Sequence, residues 1–145
     1  PSIVLDLYDL RRQLESSLMP RVAELINEAQ LQRCEEILSE WASLAHSGHL
    51  TYEMDRRFHE TLYVVVPNRM LSSLCHIFWN TFRDLETSAL LTRETPLTLE
   101  STLKTIESHR QILNAIRAND GQLASRLMFE HFGKIERSRL DAGRV

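Results

Sequence analysis

Glycine and proline are scarce in this sequence, four of each among 145 residues, and long stretches contain neither. A sheet of many strands needs frequent tight turns built from these residues, so their scarcity argues for long helices. Cysteine is scarcer still. Cys34 and Cys75 stand far apart, which excludes a disulfide framework or a thiolate metal site and suits two reduced, buried side chains in a cytoplasmic protein. No apolar run approaches the roughly 20 residues that cross a bilayer. The strongest, Thr61 to Pro67, is short and ends in a proline, so no membrane association is expected. Positive charge is not in excess either. With 17 Lys and Arg against 20 Asp and Glu the net charge is −3, and this chain alone has no general attraction for a polyanion. An initiator methionine and a signal-peptide pattern are missing too, and the chain is expected to be an excised piece of a longer protein.

What is present is the composition of an ordinary globular domain, 43% hydrophobic and 26% charged, long enough to form a core without cross-links. One domain over residues 1–145 is expected. Apolar residues recur with a period near 3.6 in six segments. The first spans about Val4 to Asn27, with a stripe of Leu7, Leu10, Leu14 and Leu18 and a bend or restart at Pro20. The second runs from about Gln30 to His46 and ends at Gly48, a suitable left-handed terminator. The third, from Leu50 or Thr51 to Val66, carries Met54, Phe58 and Leu62 on one face. The fourth runs from about Asn68 to Leu91 through Leu71, Leu74, Phe78, Phe82 and Leu85, and a polar connection follows over Thr92 to Pro96. The fifth covers about Thr98 to Ala118, with Leu99, Leu103, Ile106, Leu113 and Ile116. The sixth, about Gly121 to Leu140, begins after an Asp120 cap and buries Leu123, Leu127, Met128 and Ile135. The architecture predicted is all-α, an antiparallel bundle of six to seven helices.

Six histidines divide into two groups. His46 and His49 flank the Gly48 break and are expected in solvent, and His76 has no partner at useful spacing. The other three lie within helices where the apolar stripes turn inward. Asp55 and His59 are four residues apart, so a carboxylate and an imidazole project from one helix face. His109 stands between Ile106 and Leu113, and His131 between Leu127 and Ile135. One carboxylate and three imidazoles suit zinc, nickel, cobalt, iron or manganese, and fit calcium or magnesium poorly. The competing reading is that each is a hydrogen-bonded core histidine, and spacing alone does not separate the two.

The run Asp55-Arg56-Arg57-Phe58-His59-Glu60-Thr61-Leu62, followed by Pro67-Asn68-Arg69-Met70-Leu71, resembles the central signature of the FCD family, the effector domains of FadR-type regulators in the GntR superfamily. Arg11-Arg12-Gln13-Leu14-Glu15 is similar to the family's opening motif. Ser108 to Ile116 is similar to its penultimate helix, and Asn119 to Ala124, leading to His131, to its last. The matches run in family order over nearly the whole chain. The resemblance implies a helical bundle around a central pocket, with one divalent metal on Asp55, His59, His109 and His131. It also implies a small organic acid as effector, a homodimer, and DNA binding only through a winged-helix domain preceding Pro1. Zinc or nickel heads the expected metals, with manganese, iron and cobalt behind. Arg11 is the expected reader of the acid, and Arg83 is a second effector-binding choice that could equally be a solvated surface residue. Asn68 is expected first to cap the fourth helix and otherwise to line the effector pocket. Two departures stand out. Ser108 occupies a position where the family commonly has Glu, and Val66-Pro67-Asn68-Arg69 replaces the usual Gly-Asn-Pro turn.

The rival functions are a metalloenzyme of helical-bundle type and a purely structural dimerisation bundle. Against catalysis, Glu60 and Glu130 sit beside ligand positions but point about 100° away from them around their helices.

Overall fold

In a computed structural model of the chain, residues 3–87 and 97–142 are described. Among them every regular element is a helix. The order is α1 (Ile3–Leu25), α2 (Glu28–His46), α3 (Glu53–Tyr63), α4 (Arg69–Thr87), α5 (Leu99–Arg117) and α6 (Gly121–Ala142). The expected polar connection at Thr92 to Pro96, and the side chains of Leu85 and Ile135, lie outside the described residues.

The helix starts follow local chemistry. Asn27 Oδ1 accepts from the Gln30 amide at 3.1 Å and opens α2. Thr98 and Ser101 form a reciprocal capping box at the start of α5. Asp120 Oδ1 takes the Leu123 amide at 3.0 Å at the start of α6. The stops are equally local. Gly48 has φ +85°, the left-handed conformation that a C-terminal glycine adopts without a Cβ penalty, as the sequence predicts. Helix α3 ends at Tyr63 rather than at Val66. The β-branched Val64 to Val66 lose side-chain freedom in a helix, and the residue before Pro67 is driven out of helical conformation.

Helix α1 runs through Pro20 without restarting. It packs antiparallel on α6. Tyr8 meets Phe132, Arg12 Nε donates to the Phe129 carbonyl at 3.1 Å, and Pro20 meets Gly121. A Cβ at Gly121 would stand 2.6 Å from Pro20 Cα, so only glycine permits this approach. Helix α5 lies between α2 and α6, α3 packs on α2, and α4 rests on α3 and α1.

The face that α1 buries is not the leucine stripe. Leu10 is 55% exposed, and Leu7, Leu14 and Leu18 are partly buried at its margins. The buried line is Tyr8, Arg11, Glu15, Met19 and Val22. Two charged residues occupy it because they pair with each other, Arg11 Nε standing 2.8 Å from Glu15 Oε1. Elsewhere the apolar faces agree with the expected ones, with Met54, Phe58 and Leu62 on α3 and Ile106, Leu113 and Ile116 on α5 all buried. Leu74 and Leu99 are exceptions, 36% and 41% exposed.

Candidate metal centre

On α3 the four-residue spacing sets Asp55 and His59 one above the other, beside the core residues Phe58 and Leu62. His109 enters from α5 between Ile106 and Ile112, and His131 from α6 next to Phe132. His59 and His109 are fully buried and His131 is 5% exposed. A ring nitrogen from each of the three lies within 4.8 Å of the other two. Asp55 closes the group, its Oδ1 2.7 Å from His109 Nε2 and 3.1 Å from His59 Nε2, and the two Nε2 atoms are 3.1 Å apart. The structure thus brings together the four residues singled out in the sequence, from helices α3, α5 and α6. Aromatic edges fix the rings, with Phe58 and Trp41 at 4.9 and 5.2 Å from His109 and Trp79 at 6.1 Å from His59.

The outer nitrogens decide what the inner ones offer. His109 Nδ1 is 2.7 Å from the Thr105 carbonyl, which only accepts, so Nδ1 carries the proton. His59 Nδ1 is 2.7 Å from Glu15 Oε2, a carboxylate, so it too is the donor. In the neutral rings both Nε2 atoms then present lone pairs to each other and to the Asp55 carboxylate. With both rings neutral, three acceptors converge with no hydrogen between them, a clash that a bound cation or a proton on His59 Nε2 relieves. Two edges of 3.1 Å suit atoms sharing one ion, since donors about 2.0–2.1 Å from a metal stand about 3.0–3.4 Å apart, and the 2.7 Å edge from His109 to Asp55 would open by a few tenths of an ångström.

The charges agree. Burial alone would push the His59 imidazole down, yet Glu15 and Asp55 hold it up at about 9. Burial would raise Asp55, and His109 and His59 instead keep it well below the carboxylate range. His131 goes the other way. Burial, with His109 beside it, holds its ring neutral well below the usual value, the state in which imidazole ligates. The residues present therefore fit a divalent transition metal in donor type and arrangement, with His59 giving up one proton on binding.

The sequence profile of the FCD domain family matches residues 6–134. The chain belongs to the FCD domain family. It is 28% identical over 137 residues to the HTH-type transcriptional regulator LutR of Bacillus subtilis (strain 168), an alignment covering 92% of this chain and 60% of that protein. In fold it is similar to a Streptococcus agalactiae GntR structure, with TM-score 0.75 and 25% identity over 92% of this chain and 58% of that one. The chain thus spans about 60% of the length of these relatives.

Around the histidines this FCD domain adds a second tier that the sequence reading did not single out. Glu15 accepts from Arg11 with one oxygen and from His59 and the Tyr63 hydroxyl with the other. Burial works to raise its carboxyl, but Arg11 and His59 bring it down to about 2. Burial raises the Tyr63 phenol far above its ordinary value, and Glu15 adds to the rise, so it stays a donor. Arg11 is 2% exposed, and its guanidinium lies 4.4 Å over Trp79 and 4.8 Å from Phe132. Its Nη2 is buried without a hydrogen-bond partner. The available signal for Glu15 was its spacing of four from Arg11 on a helix whose other faces are mixed. Nothing in the sequence marks Tyr63 or Trp79.

The remaining candidates fall elsewhere in the FCD domain. Arg83 has a side chain 66% exposed and lines a cavity of about 320 Å³ between the α2–α3 connection and α4, with Tyr52, Arg56, Trp79 and Phe82. None of the four metal candidates lines that cavity, and Trp79 is the wall between. The open space therefore lies beside the cluster rather than around it, because the four donors close on one another. Asn68 is exposed and spends its Oδ1 on the Met70 amide at 3.0 Å, capping α4. His46, His49 and His76 are exposed, and Cys34 and Cys75 are buried thiols, as expected.

Proposed function

We infer that the chain is the ligand-sensing domain of a transcription regulator, holding one divalent transition metal and reading a small carboxylate. The observation that carries this is the convergence of two imidazole lone pairs and a carboxylate oxygen on one buried point, with a third imidazole beside them. Asp55, His59, His109 and His131 would hold the ion. Zinc or nickel suits the set best, with manganese, iron and cobalt also compatible. When bound, the ion supplies a Lewis-acidic centre that takes a carboxylate oxygen.

The protein's own part is selection. Arg11 is fixed through Nε by Glu15 and clamped between Trp79 and Phe132, which leaves Nη2 as an uncommitted donor for an acid. Burial strengthens that contact, since little water competes. Arg83, at the neighbouring cavity, is the second candidate for meeting an anion. The acid acts on regulation by favouring one arrangement of the helices over another. A homodimer of such domains, each joined before Pro1 to a winged-helix module that contacts DNA, completes the reading. The same-class relatives are regulators, and Glu15, the one other buried carboxylate at the site, already takes three donors and offers no free base.

The test is metal content by plasma mass spectrometry of the purified chain and its His59→Ala variant. Near one equivalent of a transition metal, lost in the variant, is expected. No metal in either after reconstitution overturns the reading. For the acid, Arg11→Lys keeps the ion pair with Glu15 but not the fork. It is expected to retain metal and to weaken binding of carboxylates found by thermal-shift screening.

A further inference from the structure

Glu15 is the one acidic side chain on α1 that is buried, 1% exposed, and it faces α3 across the bundle. Its Oε2 receives His59 Nδ1 at 2.7 Å together with the Tyr63 hydroxyl, and its Oε1 receives Arg11 Nε at 2.8 Å. A neutral His59 has two tautomers available here. In one, Nδ1–H donates to Glu15 and Nε2 is left with a lone pair toward Asp55 and His109. In the other, Nε2–H donates to Asp55 Oδ1, 3.1 Å away, and Nδ1 accepts from Tyr63, also 3.1 Å away. The second blocks the nitrogen a metal would use, takes the Tyr63 hydroxyl from Glu15, and turns the Nδ1 lone pair toward Glu15 Oε2, 2.7 Å away. Only a carboxylate at position 15, an acceptor without a proton, excludes it.

We propose that Glu15 is the positioning residue of the metal centre, selecting the His59 tautomer that can ligate and tying that ring to Arg11 through one carboxylate. This rests on the metal reading above and deepens it. The metal and the acid-reading arginine are then one unit, because the group that aims His59 is the group that aims Arg11. Glu15→Gln keeps the shape but places an amide N–H where an acceptor stood, which favours the blocked tautomer.

The experiment is cobalt binding to the purified chain, followed by chelator competition and the visible d–d spectrum. Circular dichroism and the melting temperature serve as fold controls. Wild type and Glu36→Gln, a change in a surface carboxylate on α2, are expected to bind within about twofold of each other. Glu15→Gln is expected to bind on the order of 10–100-fold more weakly, with a changed spectrum. A Glu15→Gln protein that melts lower but binds cobalt like wild type overturns the proposal and leaves the metal reading standing. Wild type that takes up no cobalt or zinc overturns both. If Glu15→Gln does not fold, nitrogen-15 NMR of the zinc-loaded wild type decides. A hydrogen-bonded proton on His59 Nδ1 is expected, and a ring bound through Nδ1 with its proton on Nε2 overturns the assignment.

Discussion

His109 Nδ1 lies 2.7 Å from the Thr105 carbonyl oxygen, one turn earlier on the same helix. A carbonyl has two lone pairs, so this one can hold the ring N–H beside the helix amide one turn on, while the far side of the ring meets Asp55. Backbone and side chain therefore fix each other, and Nε2 is aimed at Asp55 before anything binds. Thr105→Ala is expected to leave this aim unchanged, because the backbone makes it. Thr105→Pro would destroy it along with the turn.

Removing the charge from Asp55 while keeping its shape should separate attraction from geometry. Asp55→Asn leaves two imidazole lone pairs without their anionic partner and is expected to lower cobalt or zinc affinity by 10-fold or more. Its fold, followed by circular dichroism, should be retained. Wild-type affinity in this variant would falsify Asp55 as a ligand.

Gly121→Ala tests the closest approach in the bundle. Alanine is the better helix former by about 1 kcal/mol, yet its Cβ would meet Pro20 Cα at 2.6 Å. Overpacking costs about 1–3 kcal/mol, so a lower melting temperature is expected despite the gain in propensity. A higher one would show that α1 and α6 stand further apart than described.

Phe58 is fully buried and its ring meets His109 edge-on at 4.9 Å. Phe58→Ala is expected to cost about 3–5 kcal/mol in denaturant unfolding and to loosen the metal centre with it. Phe58→Leu should cost less and keep the metal. Equal metal affinity in both variants would show that the ring does not hold His109.

Stability should pass through a maximum near pH 6.5 once metal has been stripped with chelator. His59 is raised from 6.5 to about 9, so its contribution is complete below 6.5 and is lost as pH rises to 9. His131 is depressed, so the unfolded chain alone takes up its proton below 6.5, and stability falls toward acid. Glu15, moved from 4.5 to about 2, adds a second loss as pH drops from 4.5 toward 2. Melting temperatures across pH 2 to 10 check the shape, and a plateau from 6.5 to 9 would contradict the part given to His59.

Most of the candidate site was legible because its signal is local. Asp55 and His59 share a face by spacing, and His109 and His131 each interrupt an apolar stripe at a position that must turn inward. Their meeting point was not legible from spacing, since it depends on α3, α5 and α6 converging. Helix α1 misled for a different reason. Hydropathy scores residues singly, and Arg11 and Glu15 are buried as a pair whose charges cancel, so the leucines beside them seemed the better face. Tyr63 was invisible likewise, being recruited by a carboxylate 48 residues earlier. The helix ends were read well at Gly48 and Asp120, while the Asn27 cap was taken for the end of the first helix. They were read poorly at Val64 to Val66, where periodicity continued but the backbone before Pro67 did not follow.

At Gly121 and Pro20 two backbones touch with no side chain between them. A contact of that kind has no compressible layer, so neither helix slides past the other there without first lifting away. Relative motion of α1 and α6 is thereby reduced to swinging about this point. The arm of that lever, from Pro20 back to Arg11, is about 13 Å at 1.5 Å per residue. A tilt of a few degrees at the fulcrum becomes a displacement of about half an ångström or more where Arg11 and Glu15 face the histidines, and grows further toward Ile3.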